Sequence, residues 1–452
     1  MNRPISTAEG CDVMRVQRWR DMDDDARRQL LDRGAAAIFN PSMKESIGRI
    51  IDDVRAHGDE AVSRALRDFD HVDVAPDRLR VGEAEVAAAR RAIGPELLAA
   101  VRDMIDHIRR FNEQVMARKG ADWSFESEPG LFVGEKVTPI GSAGLFCPSG
   151  KASYPSVLAQ IGTPATVAGV ATRVVITPPV PGDPAAPVDA ATLVVADELG
   201  ITDVFRVNGP AGVAAVAFGT ETIPRVVKVV GPGSPAVVCA QIEVQRYGTS
   251  TMMLLGPTES LIVADGTADP VRLAADLLNE AEHGTDSSSV LVLTDESILG
   301  TLQVELSRQI AVLPGPRREA AAAALGVNGG CVVAVDMAEA AEIANRYGPE
   351  HLQLATADDD ALLQLITCAG EVLVGQHTTF SSANFIIGCP ASLPTSGFAN
   401  VSSGITAEAF LKRTAIAHAD ERAMRRMAPS VLALADHEGF PAHANAVRIR
   451  LG

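Results

Sequence analysis

The sequence predicts a helix-rich α/β protein built on parallel strands. Three observations carry this reading. Ala, Val and Leu dominate while aromatic residues make up only 4% of the chain, a balance that suits strands wrapped by helices rather than a β-sandwich. Short apolar runs such as Val174–Thr177, Leu261–Ala264 and Val290–Leu293 are bounded by turn residues, as strands buried on both faces are. Stretches with helical spacing lie between them. At 452 residues and 47% hydrophobic, the chain can bury a large core and divides into roughly two to four domains.

A net charge of -17 argues against nucleic acid or an anionic membrane surface as a partner. No apolar run reaches membrane-spanning length without Gly, Pro or charge, and the N-terminus has no signal-peptide core. The expectation is a soluble cytoplasmic protein. Cysteines stand at 11, 147, 239, 331, 368 and 389 with no CxxC pair, so buried thiols are expected and not a disulfide framework.

Taken in order, residues 1–40 are charged, with a helix over Asp21–Arg33. Apolar residues at helical spacing mark Ser42–Phe69, and Val81–Phe111 continues as two helices broken at Gly94-Pro95. Trp123–Pro139 alternates like a strand. A Gly/Pro/Ser loop, Cys147–Tyr154, then leads into a helix over Pro155–Gly169 and a strand over Val174–Thr177. The pattern recurs through Val226–Val230, so Gly144–Pro235 reads as a parallel α/β unit. It lacks G-x-G-x-x-G and G-x-x-x-x-G-K-[ST]; a dinucleotide could still rest on loop amides and helix N-termini. Lys151 in the loop either meets a phosphate or is a solvated lysine. A second α/β region uses Leu261–Ala264, Val290–Leu293, Val332–Val335 and Val372–Val374, and the tail from Thr406 reads as helical.

Four stretches carry candidate chemistry. Glu280 and His283 sit three apart at a helix end, on one face, and both are ordinary metal-ligand types; the alternative is a solvated Glu and a His beside the helix dipole. Glu350 and His351 follow the rigid Gly348-Pro349 turn and could divide two proton transfers, or Glu350 could open a helix. The long polar loop after Glu371 carries His377, Asn384 and Cys389. Glu438 and His443 lie in the tail, where they either close a partner chain's site or are surface residues. Cys147 and Cys389 flank the inferred cleft as buried thiols or aldehyde traps.

These stretches, with CPSGKASYPSVLAQIGTPATVAGV, GPTESLIVAD, EAEHGTDSSSVLVLT, YGPEHL, SLPT and AHANAV, resemble the histidinol dehydrogenase family from about Ser42 to the C-terminus. The resemblance implies two incomplete Rossmann-like parallel-sheet domains with helical N- and C-terminal segments, in an intertwined dimer. Domains are then expected at 1–40 (helical), 41–143 with 236–400 (metal and catalytic residues), 144–235 (cofactor) and 401–452 (a tail reaching the partner).

The resemblance further implies a zinc- and NAD-dependent dehydrogenase, with NADP as an alternative cofactor. His351 would be the base and Glu350 the water activator. The family's metal ligands Gln, His, Asp and His fall on Glu280, His283, Asn384 and His443. The amide and carboxylate have traded places, which keeps ligand charge and oxygen count.

Substrate positions fall on Thr258, Glu438 and Ala391, the last replacing a pocket histidine. Cofactor positions fall on Phe146, Lys151, Ala211 and Ser234, replacing Tyr, Gln and Asn at the first, third and fourth. A site built to hydrogen-bond a polar ring loses discrimination with such partners. A small polar alcohol other than histidinol is therefore expected, as in the related sulfopropanediol dehydrogenases. The alternatives are authentic oxidation of histidinol to histidine with two NAD, and a non-catalytic ligand-binding paralogue.

Overall fold

The computed structural model describes residues 13–31, 33, 40–149, 153–183, 185–252 and 256–452. Strand β1 (Val16–Arg18) is followed by helices Asp24–Leu31, Pro41–Ala65, Glu83–Ala92 and Pro95–Lys119. Local chemistry sets these starts: Asn40 accepts from the Ser42 amide with Pro41 in the first helical position, and Gly94-Pro95 does the breaking the sequence announces.

A five-stranded sheet comes next. It comprises β4 (Ser142–Phe146), β5 (Thr172–Thr177), β6 (Asp203–Arg206), β7 (Lys228–Val230) and β8 (Ser250–Thr251). All pairs are parallel and the spatial order is β6-β5-β4-β7-β8. A six-stranded parallel sheet follows, with β9 (Glu259–Ala264), β10 (Ser288–Leu293), β11 (Gly330–Val333), β12 (His351–Ala355) and β13 (Glu371–Val374), ordered β1-β11-β10-β9-β12-β13. Apart from the added edge strand β1, both sheets repeat one winding. Each reverses direction beside its first strand, between β4 and β7 and between β9 and β12. The α/β class and the two Rossmann-like parallel sheets agree with the sequence.

Three expectations change. The tail from Thr406 is not wholly helical. Strand β14 (Leu411–Ala419) pairs antiparallel with β3 (Leu131–Pro139), which also pairs with β2 (Trp123–Glu128), before helices Glu421–His437 and Pro441–Leu451. The partner of that strand lies far upstream, so a local pattern cannot reveal it. The N-terminal segment is also not purely helical, since Val16–Arg18 extends the six-stranded sheet.

The third change concerns domain membership. Residues 41–119, expected with the metal-bearing sheet, cover the five-stranded one. Ile47, Ile51, Val54 and Leu66 pack with Phe146, Val174 and Val216 on one face. Val101, Met104, Ile105 and Ile108 pack with Leu145, Leu158 and Val175 on the other. Helix Pro235–Val244 and β8 also stay with this sheet. A parallel sheet has two apolar faces to cover, and the helices of 144–235 alone leave part of them bare.

At the reversal point of the five-stranded sheet the loop after β7 presses on the end of β4. Gly231 has φ +132°, and a Cβ there would lie 2.0 Å from the carbonyl oxygen of Phe146. Replacing Gly231 with Ala should destabilise the fold by at least about 1–3 kcal/mol, from the strained backbone alone. Urea unfolding of the variant checks this, and an unchanged midpoint would contradict the close approach.

Candidate active site

In a parallel α/β layer the helices run back against the strands, so helix C-termini gather at the amino edge of the sheet. Helix Pro270–Ala281 does this. Asp269 caps its start by accepting from the Val271 amide, with Pro270 in the first turn, and its end delivers Glu280 and His283. Glu280 is 1% exposed. Its Oε2 lies 3.3 Å from His283 Nε2, and its Oε1 accepts from Asn384 Nδ2 at 2.7 Å and from Asn279 Nδ2 at 2.8 Å. Three of the four expected ligands therefore come together from two separate elements.

The same edge carries the acid–imidazole pair. Helix Met337–Tyr347 ends at Gly348 in a left-handed conformation, Pro349 turns the chain, and β12 begins at His351. Glu350 therefore opens a strand and not a helix, which removes the dipole-partner reading. Both residues are buried. Glu350 Oε2 accepts from the Glu259 amide at 3.0 Å, and Glu350 Oε1 lies 3.8 Å from His351 Nε2. His351 Nδ1 is 2.5 Å from Glu371 Oε1.

Burial pushes the Glu350 carboxyl up to about 8, with His351 opposing. Burial works against an imidazolium at His351, but Glu350, Glu280 and Glu371 outweigh it and lift the group to about 10. The carboxylates around His351 thus favour its charged form, and it becomes a base as it loses that proton.

Three participants escaped the sequence reading. Glu371 is the register partner of His351 across β12 and β13. Glu259 is buried at the start of β9 and is held by Arg33 Nε at 2.9 Å and the Ser396 amide at 2.8 Å. Burial raises the Glu259 carboxyl and Arg33 opposes the rise. Arg33 also lies over the Tyr347 ring at 3.3 Å and donates to the Tyr347 carbonyl at 2.8 Å. The available signal was an acidic residue opening each of two apolar runs, ESLIVA and EVLV.

The remaining candidates fall in several places. Thr258 is half-buried just before β9, and its carbonyl accepts from the Ser288 amide. Ala391 is half-buried, and its amide donates to Gln160 Oε1 at 3.3 Å, which ties this loop to helix Pro155–Val167 of the other sheet. Glu438 and His443 are exposed on the C-terminal helices. The His443 ring packs on Phe440 at 5.0 Å, and a single chain does not bring it to Glu280. Among the described residues, no three His, Cys, Asp or Glu side chains form a metal cluster.

At the reversal point of the five-stranded sheet, Phe146 and Ala211 are packed into the core, so their side chains are committed there. Ser234 is exposed at the cap of helix Pro235–Val244 and makes no side-chain capping bond. Lys151 lies outside the described residues. Burial pushes the Cys147 and Cys389 thiols up to about 12, which suppresses the thiolate and counts against an aldehyde trap.

The histidinol dehydrogenase family model matches residues 35–451. The chain belongs to the histidinol dehydrogenase family. It is 37% identical to a histidinol dehydrogenase homolog of Colwellia psychrerythraea, covering 96% of each chain. It is 38% identical to the histidinol dehydrogenase of Synechocystis, covering 89% of this chain and 91% of the relative. The crystal structure of histidinol dehydrogenase from Elizabethkingia anophelis superposes with a TM-score of 0.91 at 29% identity, covering 98% and 99% of the two chains. Membership makes this an oxidoreductase of the dehydrogenase type. Among the described residues no helix is long and apolar enough to cross a membrane.

Within this site the Arg33–Glu259 ion pair is enclosed, with side chains 8% and 3% exposed. Arg33→Ala should cost about 3–5 kcal/mol by stranding a buried carboxylate. Chemical denaturation reads this out, and no loss of stability would show that Glu259 is neutral in the native protein.

Proposed function

We propose that this protein is a metal- and NAD(P)-dependent dehydrogenase that oxidises the hydroxyl of a small polar alcohol other than histidinol. The observation that carries the reading is the meeting of Glu280, His283 and Asn384 beside Glu350 and His351. The cluster suits a divalent ion. Glu259, Glu280, Glu350 and Glu371 are all buried; Arg33 pairs with Glu259, and His351 lies beside Glu371 and Glu350. Were all four ionised, formal negative charge would be left over, which a divalent cation or protonation would offset.

Glu280 and His283 would hold the ion, as would Asn384 through its amide oxygen once the amide turns, since the two ends of an amide are nearly the same shape. His443 would complete the set from a second copy of the chain. A bound cation there would polarise the substrate hydroxyl.

The proton path uses this chain's own residues. Glu371 occupies His351 Nδ1, so Nε2 is the nitrogen left to take the hydroxyl proton. The crevice between β4 and β7, with Ser234 at the start of the following helix, would hold a nicotinamide dinucleotide, which supplies the hydride acceptor when bound. Glu350, its other oxygen fixed by the Glu259 amide, is placed to activate water if oxidation continues past the carbonyl. Thr258 and Ala391 would contact the substrate from this chain, and Glu438 from the second copy. Ala391 offers no hydrogen bond where the family has a histidine, which speaks against a polar-ring substrate. The second reading, authentic histidinol dehydrogenase, draws support from the 38% identity to a relative bearing that name.

Protein purified without chelator should carry about one divalent ion per chain, and Glu280→Ala should lose it. Metal analysis that finds none in the unmodified protein would refute the site. Formation of reduced cofactor should be seen with a member of a panel of diols, amino alcohols and sulfonated alcohols, and be far slower with histidinol. Faster turnover of histidinol would establish the second reading, and no turnover with any alcohol would point to a non-catalytic paralogue.

His351→Asn should abolish oxidation while cofactor affinity, measured by calorimetry, stays the same. The base works as neutral imidazole, and Glu350 and Glu371 favour its protonated form, so kcat/KM should climb with rising pH until the ring is neutral. A flat profile would remove His351 from that role.

A further inference from the structure

We propose that Glu371 is the positioning residue of the site: it fixes the tautomer and orientation of His351, and through Cys389 it ties that orientation to the loop carrying Asn384 and Ala391. This rests on the reading of His351 as the base.

The argument starts from strand geometry. β12 and β13 are parallel neighbours, and His351 pairs in register with Glu371 at the first residue of each. Residues in register on adjacent strands project side by side from the same face. Here that neighbourhood is buried, with side chains 3% and 6% exposed. A carboxylate at such a position is costly unless both oxygens find donors. A residue serving only to start the strand would be apolar, like Val372 and Leu373 after it, or would spend its oxygens on backbone amides.

Glu371 does neither. Its Oε1 is 2.5 Å from His351 Nδ1 and its Oε2 accepts from Cys389 Sγ at 3.4 Å. The Cys389 thiol stays protonated, because burial and Glu371 itself raise it to about 12, so it remains a donor. With Nδ1 committed, the imidazole can face its substrate only through Nε2, the nitrogen nearest Glu350. The Phe380 ring meets the imidazole edge-on at 5.9 Å and blocks rotation from that side.

Cys389 extends the link. It stands two residues before Ala391, whose amide reaches Gln160 on the other sheet, and five after Asn384, which reaches Glu280. One segment therefore touches the imidazole's anchor, the candidate metal-ligand cluster and a helix of the other sheet.

The test reads the tautomer directly. In protein labelled with 15N in its histidine rings and titrated to the alkaline pH at which the His351 ring is neutral, long-range correlation spectra separate Nδ1–H from Nε2–H forms, and His351→Asn assigns the signal among the nine histidines. In the unmodified protein His351 should show a hydrogen-bonded Nδ1–H. Glu371→Leu should lose it, whereas Glu371→Gln, which keeps an acceptor, should retain it.

With whichever alcohol the unmodified enzyme oxidises, Glu371→Leu should lower kcat by about 10–100-fold. The KM for cofactor should stay the same, and Glu371→Gln should recover part of the loss. An unchanged His351 signal in Glu371→Leu overturns the proposal, as does a kcat equal to that of the unmodified enzyme. Should no alcohol be oxidised, the dehydrogenase reading fails, while the tautomer measurement still decides the role of Glu371.

Discussion

Four buried carboxyl groups crowd the amino edge of the six-stranded sheet around the His351 imidazole, and the surrounding structure answers that crowding. Like charges in a poorly solvated space repel strongly unless each is hydrogen-bonded or neutralised. Glu259 takes a guanidinium, Glu350 takes a backbone amide, Glu371 takes an imidazole and a thiol, and Glu280 takes two amide groups with His283 beside it. These partners come from the N-terminal segment, from two strands, from one helix end and from the loop after β13. The need to satisfy the carboxylates explains why such distant parts of the chain meet at this edge.

The two sheets share a winding but divide the work differently. The five-stranded sheet offers its carboxyl end, where Ser234 stands before a helix beside the reversal point. That is the customary place for a ligand in an open parallel sheet. The six-stranded sheet uses its opposite edge, because its reactive groups come from a helix C-terminus and from first strand residues. The Ala391–Gln160 contact ties the loop after β13 to a helix that covers the five-stranded sheet.

Much of this was legible because it is local. The spacing of Glu280 and His283 on one helix turn, and the Gly348-Pro349 punctuation before Glu350, needed only the sequence and the helical period. The apolar runs gave most of the strands of both sheets. The hidden parts depend on register or on remote pairing. Glu371 matters because β13 lies beside β12 without a slip, and no residue near it announces that. Arg33 reaches Glu259 across 226 positions of sequence. Strand β14 finds β3 only in the folded chain, and the helices of residues 41–119 cover a sheet that begins after them. The family resemblance marked matching positions and so passed over Glu259, Glu371 and Arg33, whose roles come from their neighbours.

Arg33 and the Ser396 amide both contact the carboxylate of Glu259, one from near the beginning of the chain and the other from far along it. During synthesis the first is available long before the second has left the ribosome. The surroundings of Glu259 therefore reach their final form late, after both sheets have had time to assemble. A nascent chain halted before that point would hold an unfinished, highly charged edge, open to water and to quality-control proteases, although most of its core was already in place.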